Sequence, residues 1–161
     1  MGGFGTYALW NDSVGVPGGD VNSGVLTIDA GTQTWSDQSP DVVDRAWTPA
    51  TNVIVPGDVI QLQQELTINA EGKNLKGKLV LNTDDLETAY GSSVTVAVST
   101  DEPALVAGQL NDFVFDADAL TDSTVTATVT FTFDSTTSGV VAQNAETDLA
   151  DASFDLTQVR P

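Results

Sequence analysis

From Val55 to Leu81 the chain reads VPGDVIQLQQELTINAEGKNLKGKLVL. After the Pro56-Gly57-Asp58 turn, Ile60, Leu62, Leu66 and Ile68 share one parity, and Gln64 is the only polar member of that row. Gln61, Gln63, Glu65, Thr67 and Asn69 hold the other parity. A period of two places the first row on the dry face of a sheet and the second in water. After Ala70–Asn74, Leu75, Leu79 and Leu81 resume the alternation. The pattern predicts an antiparallel β-hairpin with one dry and one wet face, and it sets the class as all-β.

The rest of the chain supports that class. Thr6–Trp10 and Gly24–Ala30 read as strands, separated by a Gly/Pro break at Gly15–Gly19. Thr32–Thr51 reads as a polar loop carrying Trp35 and Trp47, and Asn52–Val55 as a short edge strand stopped by Pro56. Thr83–Tyr90 is a polar connection with room for one helical turn. Val94, Val96 and Val98 alternate with small polar residues, and Asn111–Phe115 is a short strand running into an acidic loop. The cleanest alternation is Val125, Ala127, Val129, Phe131 and Phe133 against Thr126, Thr128, Thr130 and Thr132, so this strand is expected to be central. Thr137–Asp151 has no clear period, and Phe154–Gln158 closes the chain on a last strand. About eight strands with turn signals between them, and little helix, predict an antiparallel jelly-roll-like β-sandwich.

A length of 161 residues suits one domain able to bury a real core. With 23 acidic against 5 basic residues, the net charge of −18 repels phosphate backbones and anionic lipid surfaces. Neither nucleic acid nor membrane is an expected partner of the mature chain. No apolar run reaches the length of a bilayer span, and no charged and apolar leader precedes the body, so the opening reads as trimmed.

The chain contains no cysteine and no histidine. That removes disulfides, thiolate metal sites, Ser-His-Asp triads and histidine-based zinc sites together. No catalytic residue is assigned and no enzyme activity is expected. Asp112, Asp116, Asp118 and Asp122 offer hard oxygen ligands in one loop, which makes weak calcium binding the one cofactor possibility, against the plain alternative of a solvated acidic loop. Lys73, Lys76 and Lys78 supply three of the five basic residues within one short stretch. They are candidates for docking onto an acidic neighbouring subunit, or they serve only to relieve local repulsion. Trp35 and Trp47 are expected to cap one end of the core, with ligand stacking as the alternative.

Three segments carry a family resemblance: YALWNDS (Tyr7–Ser13) before SGVLTIDA (Ser23–Ala30), VPGD with the alternating strand and EGKNLKGKL, and the closing FDLTQ (Phe154–Gln158). Together they resemble the TasA/camelysin group of secreted bacterial proteins with SipW-type (alternate) signal peptides, in its actinobacterial branch. The resemblance touches both ends and the centre; Thr83–Thr124 matches nothing in that pattern. It implies a sandwich exported to the cell surface or biofilm matrix, where subunits build fibres. It also implies that an N-terminal strand, here Gly2–Trp10, leaves its own subunit and completes the sheet of the next. The metalloprotease label of camelysin-type relatives does not carry over, because no His or Cys is present to hold a catalytic zinc.

The residues themselves bear on assembly. Phe4, Tyr7, Leu9 and Trp10 form an apolar arm, followed by a hinge at Gly15, Pro17, Gly18 and Gly19. Such an arm must bury somewhere, either in its own sheet as a first strand or in a neighbour by strand addition. A head-to-tail contact of the second kind does not close, so it propagates as a homopolymer. The expected division is therefore residues 1–19 as arm and hinge, and 20–161 as sandwich. The competing reading is a monomeric secreted β-sandwich that binds a cation or a carbohydrate.

Overall fold

The computed structural model describes residues 24–49, 51–108, 111–138 and 153–159. The arm and hinge residues named above lie outside this set, as does most of the stretch from Thr137 to Asp151. Eight strands are present among the described residues: β1 (Val25–Asp37), β2 (Val59–Glu71), β3 (Lys76–Asn82), β4 (Val94–Thr100), β5 (Val106–Ala107), β6 (Asp112–Asp116), β7 (Ser123–Phe133) and β8 (Ser153–Val159). They form two four-stranded antiparallel sheets, ordered β1-β2-β7-β4 and β5-β6-β3-β8. One α-helix is present among the described residues, α1 (Asp84–Tyr90), and it follows β3 where the sequence left room for a helical turn.

The core lies between the sheets. The apolar row of β7 is 4% exposed or less along its whole length, and β7 sits between β2 and β4, as its alternation predicts. Ile60, Leu62, Leu66 and Ile68 of β2 continue that surface, and Leu79, Leu81, Phe113 and Phe115 face them from the other sheet. Gly77 of β3 is buried directly beneath the Phe115 ring.

The predicted hairpin is a corner. β2 pairs with β1 and β7, whereas β3 pairs with β6 and β8, so Gly72–Leu75 carries the chain from one layer to the other. The alternation is the same in both arrangements, because each strand has one buried face. What differs is the partner, which period two does not encode.

The polar loop expected after Ala30 is also revised, since β1 continues for thirteen residues. Its register against β2 shifts between Ala30 and Gln33, where one extra residue is inserted. Before the bulge Leu26 and Ile28 stand opposite Ala70 and Ile68; after it, Trp35 stands opposite Leu62. The inward parity flips from even to odd, so a strict period of two loses the strand. The bulge also accounts for the one polar member of the β2 core row. Gln64 is buried, and its Nε2 donates to the carbonyls of Gly31 at 3.2 Å and Glu65 at 2.8 Å. A buried amide so satisfied carries little penalty.

Asn52–Val55 forms no strand. The Asn52 N–H donates to the Thr48 carbonyl, the Val55 N–H to the Asp58 carboxylate and the Asp58 N–H back to the Val55 carbonyl. The backbone groups a ladder would use are thus partly spent in turns. Gly57 takes φ +98° at the third position of the Val55–Asp58 turn, with Pro56 before it, the pairing a type II turn requires. The Asp58 carboxyl is raised above its ordinary pKa, mainly by burial, with a smaller push from the charges of Asp37 and Asp41.

Candidate functional site

The sequence-assigned cations and acids meet one another. β3 and β6 run antiparallel with Lys76 opposite Asp116, and Lys76 Nζ lies 2.9 Å from Asp116 Oδ1. Lys78 Nζ lies 3.5 Å from Asp112 Oδ2 one step along the same ladder. Two of the three docking lysines therefore neutralise two of the four proposed metal ligands on the wet face of the second sheet. The exposed Lys76–Asp116 pair contributes up to about 1 kcal/mol, whereas Lys78–Asp112 is half-buried. Lys73 sits in the Gly72–Leu75 corner beside them.

The other two acids are placed by backbone geometry. Asp118 belongs to a 3-10 turn at Ala117–Ala119. Asp122 occupies a left-handed position (φ +46°) before β7, where its N–H donates to Asn69 Oδ1 at 3.2 Å. Asp is among the residue types that tolerate this conformation. No three acidic side chains among the described residues converge into a ligand set.

Trp35 and Trp47 close one end of the core. Trp35 stacks on Phe131 with ring centroids 5.8 Å apart and meets Trp47 at 5.4 Å. Trp47 is carried there by the β1–β2 loop, which is tied down by Asp37 N–H to the Arg45 carbonyl (2.9 Å) and Val59 N–H to the buried Ser39 hydroxyl (3.0 Å). The pair packs as core, in line with its expected capping role.

Apart from the edge strand expected at Asn52–Val55, which does not form, the strand edges were not assigned from sequence, because the order of strands in a sheet is not written in their periodicity. Among the described residues four edges result, and three resist pairing. β1 carries the bulge and Asp29, and its far end is bridged by Ala46 to Ser36. β5 is two residues long. β8 carries an exposed Asp155 at its middle. Charges, bulges and short length are the usual protections of a sheet edge.

β4 has none of them. It is seven residues, VTVAVST, without charge, proline, glycine or bulge, and its register against β7 is unbroken from Val94 to Thr100. Among the described residues it pairs only with β7. Its inward valines are half-buried, whereas the row beside them on β7 is fully buried. Next to them a groove of about 490 Å³ opens between α1 and β4, lined by Thr83, Leu86, Gly91, Val94, Val96 and Asn111.

Compared with known proteins, the chain matches no protein-family model, no curated protein and no solved structure. Its function is therefore read from its own residues.

Proposed function

We propose that this chain is the structural subunit of an extracellular fibre or biofilm-matrix filament, assembled head to tail by exchange of its N-terminal strand. The observation that carries the reading is a β-sandwich with a strand edge left unprotected, in a chain that also holds an uncharged apolar arm ahead of its first described strand. An arm such as Phe4–Trp10 has backbone and side chains to satisfy, and an open edge has the matching groups to offer. The Thr, Ser and Ala faces of β4 and β7 put no charge in the way of close approach, although the whole molecule is strongly acidic. The resemblance to the TasA/camelysin group points the same way. The reading requires no enzyme activity and no cofactor.

Deletion of Gly2–Trp10 tests it. The truncated chain is expected to stay soluble and to keep a cooperative melt within a few degrees of the full chain, while no longer sedimenting as polymer. If the deletion instead abolishes the melting transition, the arm is the sandwich's own first strand and the proposal fails.

A further inference from the structure

We infer that the acceptor for the exchanged strand is the outer edge of β4 together with the groove between β4 and α1. The inference rests on the strand-exchange reading and adds to it the receiving site, whose occupant is the segment Gly2–Trp10 of a second copy.

The hydrogen-bond pattern shows which groups that edge offers. The Asp134 N–H donates to the Ser93 carbonyl, and the Asp101 N–H donates to the Thr126 carbonyl, at the two ends of the β4–β7 ladder. In an antiparallel pair the bonded residues alternate. Thr95, Ala97 and Ser99 therefore spend their backbone groups on β7. The N–H and C=O groups of Val94, Val96 and Val98 point away from β7, along an edge that no other described strand occupies. The same three residues turn half-buried side chains toward the interior, so an added strand would gain backbone partners and cover apolar surface at once. The arm GGFGTYALW carries no charged side chain, which suits an edge flanked by Glu87, Asp101, Glu102 and Asp134.

The placement of the two ends gives the contact a direction. Gly24, the first described residue, lies against Gly72 in the β2–β3 corner, at the end of the sandwich where β1 begins. The α1–β4 groove lies at the other end, where Val94 stands opposite Phe133. Those ends are about 40 Å apart along β2. β1 and β4 are also opposite edges of the same sheet, about 14 Å apart. Residues 11–23 span at most about 45 Å when extended, enough to carry the arm clear of its own body. An arm leaving one end and one edge, with its acceptor at the other end and the other edge, makes a heterologous contact that repeats in one direction, as an open filament wherever the subunit rotation does not close a ring.

The absence of cysteine makes a crosslinking test clean. Ala8→Cys in the arm is combined in turn with Thr95→Cys, Ala97→Cys or Ser99→Cys, all on the exposed face of β4. Reference pairs place the second cysteine on β1 (Thr34→Cys) or on β8 (Thr157→Cys). On mild oxidation, at least one β4 pair is expected to give a ladder of covalent oligomers on a non-reducing gel, and the β1 and β8 pairs to stay monomeric. Val96→Pro, which removes an outward N–H without touching the β7 ladder, is expected to abolish sedimentable polymer while a cooperative melt remains. Laddering through β1 or β8 instead, β4 lanes no different from these references, or a disulfide closing within single chains overturns the β4 assignment. Filaments formed by the unsubstituted chain in those cases would leave strand exchange standing, and their absence would remove both.

Discussion

Phe131→Asp is expected to leave the chain without a cooperative melting transition. Phe131 is fully buried on the central strand β7, opposite Ile60 on one side and Val96 on the other. Its ring stacks on Trp35, and Leu62, Leu81, Leu86 and Val129 complete the apolar surroundings. Truncating a buried Phe costs about 3–5 kcal/mol through lost transfer energy and the cavity left behind. A carboxylate there must be buried unpaired or titrate to its neutral form, at a further cost of several kcal/mol. Domains of this kind are stable by roughly 5–15 kcal/mol in total, so the sum consumes the margin. Phe131→Leu is the control, expected to melt lower but cooperatively. Near-ultraviolet circular dichroism reports on both variants, since Trp35 and Trp47 pack in the same cluster. A Phe131→Asp protein with the parent's melt and signal would show that this face is not the core.

Gly77→Ala is expected to lower the melting temperature through a single methyl group. A Cβ at Gly77 would lie 2.7 Å from Phe115 Cε1 and Cε2 and closer still to Cζ. Gly77 is held by ladders on both sides, opposite Phe115 on β6 and Gln158 on β8, so the backbone has little freedom to withdraw. Phe115 is buried in the cluster that holds Leu75, Leu79 and Leu120, so moving its ring disturbs packed neighbours. Overpacking of this kind costs about 1–3 kcal/mol. For a chain near this size that corresponds to roughly 2–12 °C in melting temperature. Combining Gly77→Ala with Phe115→Leu, which shortens the obstructing ring, is expected to cost less than the sum of the two single changes. Strict additivity would mean that the glycine is not there to seat the ring.

Gly77 also shows what a single sequence conceals. A glycine inside an alternating strand reads as a weak point, and only the facing phenylalanine, far away in the chain, gives it a reason. Elements with one buried face and an unbroken period were legible. The apolar row of β7, the β2 row, Val94–Val98 and Phe154–Leu156 all stand on inward faces as the alternation predicts. Readings that depended on partner or phase were not. The β2–β3 corner carries the same alternation as a hairpin, and the β1 bulge flips the parity at which Trp35 turns inward. One signal for that bulge was visible: Gln64, the polar residue in an apolar row, sits where the displaced carbonyls need a donor.

The charge-bearing candidates illustrate the same limit. Lys76 and Lys78 read as a basic patch and Asp112 and Asp116 as an acidic loop, because they are distant in the chain. The β3–β6 register interleaves them into pairs. The β4 edge was legible as a strand and not as an edge, since only the sheet order decides which strand is left with one neighbour.

Polymerisation of this sandwich through its N-terminal arm is tested by electron microscopy of the concentrated 161-residue chain. The measurement belongs at physiological ionic strength, where repulsion between molecules of charge −18 is screened beyond about 8 Å. Unbranched filaments with an axial repeat of one subunit are expected. Isolated particles of single-domain size at every concentration and salt would refute assembly through the arm.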